Sequence, residues 1–237
     1  MNQRIKDMIN ELKSLGDPKR AENYQRFFKT GKGEYGEGDL FLGIQVPVLR
    51  NMSKKYREIS LEEIADLIAS PYHEIRMFSL FLLIYSFKKS NGNNGENIYK
   101  FYLKNSKFIN NWDLVDSSAE HIVGAYLYNF DRQPIYKLAV SKSLWERRIS
   151  IISTYYFIKQ NQFDDTLKIS EILLRDKEDL IHKAVGWMLR EVGKRNIENE
   201  ELFLKKHYKT MPRTMLRYAI EKFPEEKRRE YLYGSSN

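Results

Sequence analysis

The sequence predicts an all-α fold in which helix pairs stack into an α-α superhelix with a concave basic surface. Three observations favour this class. Apolar residues follow helical periodicity almost continuously, whereas the alternation typical of strands is rare. Glycine (12) and proline (6) are sparse, so few positions signal tight hairpins. A basic residue followed by an apolar-rich helix recurs about every 35 residues, which is typical of solenoids built from helix pairs.

The individual helices are predicted from their apolar stripes and their end signals. The first helix carries apolar residues at helical spacing and ends at the Gly-Asp-Pro of residues 16–18. Ser60 and Glu63 form a capping box that opens a later helix. Residues 91–95 and 131–134 are rich in turn formers and are predicted to connect helices. No linker divides the chain, so residues 1–237 are predicted to form a single domain.

The repeat is defined by four basic residues that each open an apolar helix. Arg76, Arg148, Lys183 and Arg217 are separated by 72, 35 and 34 residues. The first separation is about twice the others, which leaves room for a divergent copy around residue 112. An irregular helical bundle with accidental spacing is the alternative.

Composition and charge exclude several classes of protein. Apolar residues make up 42% and aromatic residues 14%, too much for a disordered chain. Without cysteine there is no disulfide framework, thiolate zinc site or thiol nucleophile, and we expect a reducing, cytoplasmic location. The charged N-terminus is unlike a signal peptide, and no apolar run reaches the roughly 20 residues of a membrane helix. The 40 Lys and Arg against 32 Asp and Glu leave a net charge of +8, which suggests a polyanion partner.

Two apparent motifs are interpreted as structural. Gly31, Gly33 and Gly36 match the spacing of a dinucleotide-binding loop, but a helical stretch precedes them where that motif requires a strand. We therefore expect a surface loop. The four histidines show no metal-ligand spacing and are interpreted as ordinary surface or helix-face residues, so no metal or other cofactor is expected. They are His73, His121, His182 and His207.

Trp187 falls on the polar side of its predicted helix. It lies about 140° from the centre of the apolar arc, beside Lys183, Arg190 and Lys194. Two interpretations remain open. The ring packs against an adjacent repeat, or it is an exposed aromatic platform flanked by cations that suits stacking on a base or sugar.

A second tryptophan shares a helix face with a carboxylate. Asn110 or Asn111 can cap a helix that begins at Trp112, and Trp112 and Asp116 are four residues apart, so they are neighbours on one face. Ala119 and Val123 continue the same stripe, so this helix is expected to run on to Val123. Asp116 is either a buried partner for an arginine, with Arg148 a candidate, or a functional carboxylate. Trp145, three residues before Arg148, adds a further ring.

One reaction suits a site with a carboxylate, an arginine and tryptophans. A purine alkylated at N3 or N7 is cationic and leaves its sugar as a neutral base, so it needs no general acid. A single aspartate could stabilise the oxocarbenium ion and orient the attacking water. Indole faces could hold the deoxyribose and attract the positive charge.

These segments resemble the AlkD-like DNA alkylation repair glycosylases, a family built from HEAT-like helical repeats. The resemblance covers nearly the whole chain. It rests on four segments whose order and spacing are specific together: Phe41-Leu-Gly-Ile-Gln-Val-Pro, Trp112-Asp-Leu-Val-Asp116, Trp145-Glu-Arg-Arg148 and Lys183-Ala-Val-Gly-Trp-Met-Leu-Arg-Glu191.

The resemblance implies a glycosylase that removes cationic alkylpurines from double-stranded DNA without flipping the base. Asp116 would be the catalytic carboxylate, and Trp112 and Trp187 would contact the deoxyribose of the lesion. Arg148 would hold the phosphate backbone. Further DNA contacts are expected from Lys183, Arg190, Trp145 and Phe27. Nothing demands more than a monomer.

One departure concerns the N-terminal aromatic residue of the family. The aligned position is Phe27, where the best-matching family pattern has tyrosine, so a hydroxyl is lost. Residues 31–38 are an apparent insertion. Two alternatives to an enzyme therefore stay open: a DNA-binding helical scaffold without catalysis, and a protein-interaction solenoid.

Overall fold

The computed structural model describes residues 1–90 and 95–234, and this part of the chain is helical without a strand. A single parallel bridge joins Leu40 and Tyr72. The all-α prediction is confirmed. The chain falls into two compact units, Met1–Ser118 and Ala119–Asn237, each described by itself.

The first unit contains seven helices in its described residues. They are α1 (Gln3–Ser14), α2 (Pro18–Phe27), α3 (Val46–Ser53), α4 (Leu61–Ile68), α5 (His73–Lys89), α6 (Gly95–Lys104) and α7 (Trp112–Asp116). Short 3-10 turns follow α3 and α6 at Lys54–Tyr56 and Ser106–Phe108.

The helix ends follow the signals in the sequence. The Asn2 and Asp17 side chains accept backbone N–H bonds at the starts of α1 and α2. Ser60 and Glu63 form the expected capping box at the start of α4. Of the predicted connections, residues 91–94 lie outside the described residues, and residues 131–132 precede α9 of the second unit.

α5 is the centre of the first unit. Residues 73–84 of this helix are all buried, and α3, α4, α6 and α7 pack around it. A helix that is apolar on nearly every side is stable only when covered by neighbours. Each fully buried Leu, Ile or Phe side chain contributes about 1.5–3 kcal/mol to the free energy of unfolding.

The second unit begins with a π-helical segment, Glu120–Gly124, and continues through eight helices in its described residues. They are α8 (Ala125–Leu127), α9 (Gln133–Ala139), α10 (Leu144–Lys159), α11 (Asp164–Ile172), α12 (Asp179–Gly193), α13 (Ile197–His207), α14 (Arg213–Ala219) and α15 (Glu225–Tyr233). The 3-10 turns Leu173–Arg175 and Ile220–Lys222 extend α11 and α14.

Glycine allows close helix contacts in the second unit. A Cβ atom on Gly186 of α12 would lie 2.4 Å from the Met215 carbonyl oxygen of α14. A Cβ atom on Gly124 would lie 2.2 Å from the Ser153 carbonyl oxygen of α10. Both distances are too short for a real side chain, so larger residues here would push the packed helices apart.

The four basic residues of the repeat occupy matching places. Arg76, Arg148, Lys183 and Arg217 are the fourth or fifth residues of α5, α10, α12 and α14. Their surroundings differ, because Arg76 and Arg148 are buried whereas Arg217 is exposed. The repeated pattern therefore marks equivalent helices, and the neighbours of each copy decide what its basic side chain contacts.

The helix expected to run through residues 112–123 is interrupted. α7 ends at Asp116 and a tight turn follows, in which the Ser118 N–H donates to the Val115 carbonyl. The Ser117 and Ser118 hydroxyls both donate to the Leu114 carbonyl, which competes with the regular helix bonds. The continuous stripe from Trp112 to Val123 was therefore a wrong expectation.

The glycine-rich segment is a loop of turns between α2 and α3. Gly33 has φ +80°, and its N–H donates to the Glu37 carboxylate at 2.8 Å. The Gly31 N–H donates to the Glu34 carboxylate at 2.9 Å. The loop's own carboxylates thus occupy the amides that a phosphate would need, as expected for a surface loop.

Candidate functional site

An aromatic cluster in the first unit surrounds Trp112. The Phe28 ring stacks on Trp112 with centroids 5.4 Å apart and on Phe41 at 5.0 Å. Phe27 meets Trp112 edge-on at 6.1 Å and is 63% exposed. The end of α2 and the start of α7 therefore bring Phe27 and Trp112, two predicted site residues, into contact.

α7 presents Trp112 and Asp116 one helical turn apart. The Asn111 side chain accepts the Trp112 N–H at 2.8 Å, which confirms the predicted cap. Leu114 and Val115 are buried, while Trp112 and Asp116 are both partly exposed. Their spacing places them on the same face of this helix, as the sequence predicts.

Arg76 is not a partner of Asp116. Its guanidinium donates to the Asp39 carboxylate at 2.7 Å and to the carbonyl oxygens of Ser70 and Pro71. Sealing Asp116 in the core against Arg76 would have argued against a functional carboxylate. The observed geometry removes that objection.

His73 lies at the centre of a charge cluster formed by Asp39, His73, Arg76 and Asp113, of which Asp113 is partly exposed and the other three are buried. Its Nδ1 lies 3.2 Å from Asp39 Oδ2 and its Nε2 lies 2.8 Å from Asp113 Oδ2. The side chain is only 3% exposed. The interpretation of the histidines as surface or helix-face residues is therefore wrong for His73, because carboxylates remote in sequence enclose it.

The opposite charges in the cluster favour the charged forms of His73 and Asp39. Burial alone lowers the pKa of His73, but the Asp113 and Asp39 carboxylates outweigh burial and raise the pKa to about 9. Burial likewise raises the pKa of Asp39, yet His73 and Arg76 outweigh it and lower that pKa below its ordinary value. At neutral pH the His73 ring therefore keeps its proton between the two aspartate side chains.

The Glu74 side chain fixes the backbone of the Phe-Leu-Gly-Ile segment, residues 41–44. The Glu74 carboxylate accepts the N–H groups of Leu42, Gly43 and Ile44 at 2.9, 2.7 and 3.2 Å. Gly43 has φ +80°, and a Cβ atom there would lie 2.2 Å from the Asp17 carbonyl oxygen. Only glycine fits this backbone, which ties the segment to α2 and α5.

A pocket of about 400 Å³ opens beside this cluster in the first unit. Its walls are mainly aromatic and aliphatic, and His73, Glu74 and Asp113 supply its charged groups. The lining residues are Asn23, Tyr24, Phe27, Phe28, Phe41, Ile44, Val46, Leu49, His73, Glu74, Met77 and Asp113.

Trp187 in the second unit is half-buried. Its ring centroid lies 5.8 Å from that of Tyr155 on α10, and its indole N–H donates to Glu191 at 3.3 Å. The Lys194 ammonium binds the same Glu191 oxygen at 2.6 Å. Trp187 thus packs on a neighbouring helix, the first of its two interpretations, and keeps an accessible part beside a cation.

The basic residues predicted to contact DNA already have partners. Arg148 is 4% exposed and donates to the Leu180 carbonyl. Lys183 pairs with Asp179 at 2.8 Å, and Arg190 pairs with Glu221. Trp145 is half-buried in the first turn of α10. Lys183 and Arg190 would therefore have to exchange a carboxylate for a phosphate.

Two kinds of feature are absent from residues 1–90 and 95–234. No group of three or more His, Asp and Glu side chains is placed to hold a metal ion. No helix combines the length and apolar character that a membrane span requires.

The fold and site define a helical protein that pairs an aromatic cluster with a carboxylate-bearing helix and carries a basic net charge. The family model for the DNA alkylation repair enzyme matches residues 8–223. The chain belongs to this family, which confirms the resemblance to AlkD-like proteins. Among curated proteins, none matches the chain.

Solved structures share this fold at low sequence identity. A predicted DNA alkylation repair enzyme from Enterococcus faecalis matches with a TM-score of 0.68 and 16% identity, covering 89% of this chain and 98% of its own. AlkD2 from Streptococcus mutans matches with a TM-score of 0.55 and 16% identity, covering 88% and 99%. Smu.31 from Streptococcus mutans UA159 matches with a TM-score of 0.53 and 17% identity, covering 76% and 93%. These matches confirm the predicted helical-repeat fold.

Proposed function

We propose that this protein is a DNA glycosylase that hydrolyses the N-glycosidic bond of cationic alkylated purines in double-stranded DNA without flipping the base. Lesions of the 7-methylguanine and 3-methyladenine type are the substrate class. The observation that carries this proposal is that Trp112 and Asp116 share the partly exposed face of one helical turn, with the Phe27 ring against Trp112.

The chemistry needs few groups. When the bond between C1′ and N9 of the alkylated purine breaks, its electron pair moves to the base, which leaves neutral. The Asp116 carboxylate stabilises the positive charge that develops on the sugar and orients the water that adds to C1′. The proton of that water passes to Asp116 and then to solvent. No general acid is required, because the alkylated base already carries a positive charge before the bond breaks.

Aromatic residues hold the sugar in this proposal. The Trp112 and Trp187 rings contact the deoxyribose and attract its developing charge through their π faces. Phe27 extends the aromatic surface beside Trp112. The pocket beside Phe27 is not assigned to the base, because the reaction proceeds with the lesion left in the duplex.

The remaining predicted contacts bind the DNA backbone. In this proposal Arg148 binds a phosphate beside the lesion, for which its side chain, now 4% exposed, has to become accessible. Lys183 and Arg190 bind phosphates in exchange for their present carboxylate partners. Trp145 adds an aromatic contact. A monomer suffices for all of these roles.

The decisive test compares Asp116→Asn with the wild type on duplex DNA containing 7-methylguanine. We expect the variant to keep its affinity for the duplex and to lose about 100-fold or more in base release at saturating protein, because the carboxylate charge is gone. Asp7→Asn, a change at an exposed aspartate of α1, is the matched control and should release base like the wild type.

Each alternative makes a different prediction for the same assay. A wild type that binds duplex DNA but frees no base would be a scaffold, and the enzyme would be rejected. Binding that barely changes with salt would favour a protein-interaction solenoid. Equal base release by Asp116→Asn and wild type would refute the role of Asp116.

A further inference from the structure

α7 is too short to hold its own position. It has five residues, a little over one turn, and so few backbone bonds do not stabilise a helix in isolation. Its place depends on contacts that its own side chains make with other parts of the first unit. The buried side chains of Leu114 and Val115 provide apolar anchors, and Asp113 provides a charged one.

His73 on α5 is the partner of Asp113 in this charged contact. Its ring joins Asp113 of α7 to Asp39, which lies in the segment before α3. Asp39 in turn is held by Arg76 at 2.7 Å and lies 3.5 Å from the amide nitrogen of the α7 cap residue Asn111. Two routes thus lead from His73 to the start of α7, one through Asp113 and one through Asp39.

We propose that His73 is a positioning residue that holds α7, and with it Trp112 and Asp116, in the arrangement needed for base release. The catalytic meaning of this role rests on the proposed function. The structural part, that His73 holds α7 in place, does not rest on the proposed function, because it follows from contacts within the first unit. His73 itself touches neither substrate nor reacting atoms in this role.

Protonation of His73 is what makes both contacts possible. A protonated imidazole donates from both nitrogens, so each carboxylate receives a hydrogen bond. A neutral ring has a single N–H, and either Asp39 or Asp113 then faces a lone pair in a buried site. A buried carboxylate that loses its partner is strongly disfavoured.

The groups around His73 determine the pH at which its ring loses the second proton. Besides Asp39 and Asp113, Arg76 on α5 acts on the ring, and Glu74 on α5 and Tyr24 on α2 line the same pocket as His73. Glu74 is held by three backbone amides, and burial raises the pKa of Tyr24 above its ordinary 10. Because the pKa of His73 is raised to about 9, its stabilising effect is complete below 6.5, its ordinary pKa, and is lost as the pH rises through 9.

Ring stacking gives the movement of α7 an optical signal. The His73 ring stacks on Phe41 at 4.6 Å and lies 5.0 Å from Phe28. Phe28 stacks directly on Trp112. A displacement of α7 relative to α5 would therefore change the environment of the Trp112 indole.

The first measurement follows the four histidine rings by NMR between pH 5 and 10.5. The His73 resonance, identified by its loss in His73→Gln, should titrate near pH 9 in the wild type, and Asp113→Asn should lower that midpoint. His207→Gln is the control and should leave it unchanged. A His73 midpoint near 6.5 would overturn the proposed bridge.

The second measurement uses Trp112 fluorescence without DNA, in a background with Trp145→Phe and Trp187→Phe, so that Trp112 is the single indole. We expect an emission change with a midpoint near pH 9. The same background with His73→Gln should lack this step and keep only the change due to tyrosine ionisation at higher pH. Identical titrations of the two proteins would contradict the positioning role.

The third measurement links position to base release. At saturating protein and pH 7.5, His73→Gln should lower the rate of 7-methylguanine release at least tenfold while the Kd for the duplex changes less than threefold. The release by wild type should fall as the pH rises through 9, and the variant should lose this pH dependence. Equal losses in binding and release would mean a merely structural role and overturn the proposal.

Two provisions keep the outcome decisive. If His73→Gln does not fold, Asp113→Asn, at a partly exposed position, removes the same contact from the other side and replaces it in the fluorescence and base-release measurements. The His73 resonance is then identified by elimination, with His121→Gln, His182→Gln and His207→Gln. If wild type releases no base, the proposed function fails. The NMR and fluorescence titrations would still show whether His73 holds α7.

Discussion

At the scale of single residues, neighbours decide what each side chain can do. His73 and His207 both lie on helices, yet the pKa of His73 is raised to about 9 while burial lowers that of His207. The difference is the pair of carboxylates that encloses His73. Asp113 accepts the Leu114 N–H at 2.8 Å in the first turn of α7 and also holds His73.

Gly43 gives the first prediction at this scale. Gly43→Ala should lower the free energy of unfolding by more than about 2 kcal/mol, because the new Cβ adds a backbone clash to a left-handed conformation. Gly38→Ala is the matched control, since Gly38 has a similar φ of +84° with open space around it. It should cost about 1–2 kcal/mol. Chemical denaturation measures both, and equal costs would contradict the clash.

Phe27 gives the second prediction. Phe27→Ala should lower 7-methylguanine release about tenfold, because the ring beside Trp112 is lost. Phe27→Tyr keeps the ring and should stay within threefold of the wild type. Single-turnover release measures both variants. A large gain in Phe27→Tyr would instead show that the missing hydroxyl limits this protein.

At the scale of helices, short elements depend on the longer ones around them. α5, α10 and α12 are long and largely buried, whereas α7 is a single turn held by its caps and by α5. In the second unit, the contact between α12 and α13 contains a buried acid, Glu200, which is 1% exposed and lies over Gly193.

Glu200 makes stability depend on pH. Burial, and next the Glu201 charge, raise the pKa of Glu200 to about 8 against the opposing effect of Arg190. The folded state keeps a proton that the unfolded state loses above pH 4.5, so the contribution of this group to stability falls as pH rises from 4.5 to 8. Glu200→Gln should lose this part of the pH dependence.

Denaturation midpoints measured from pH 4.5 to 9 test this prediction. The difference between wild type and Glu200→Gln should grow in favour of the variant as pH rises. Glu198→Gln, at an exposed acid in the first turn of the same helix, should follow the wild type. A constant difference across this pH range would mean that Glu200 is already ionised in the folded protein.

At the scale of the whole molecule, the charge of +8 is the property that the proposed DNA binding would use. Each phosphate contact releases counterions, so the logarithm of the binding constant should fall linearly with the logarithm of salt concentration. Lys183→Ala should remove one phosphate contact and make this slope shallower by about 1. Lys168→Ala, at an exposed lysine of α11, removes the same charge and should leave the slope unchanged. Equal slopes for all three proteins would exclude Lys183 from the interface.

Much of the fold was predictable because its signals are local. The stripe of α1, the capping box of α4 and the one-turn spacing of Trp112 and Asp116 each depend on residues a few positions apart. The break after Asp116 was missed because the serine hydroxyls there can either continue a helix or compete with it. Their surroundings decide between the two.

By itself the sequence determined the helical class, the ends of several helices, the family and the residues that share the α7 turn, since periodicity and capping operate within one or two turns of chain. The tertiary structure alone decided the environment of each charge. His73 meets Asp39 and Asp113 across separations of 34 and 40 residues. No local pattern encodes such a meeting, because it exists only once α5, α7 and the segment before α3 have packed together.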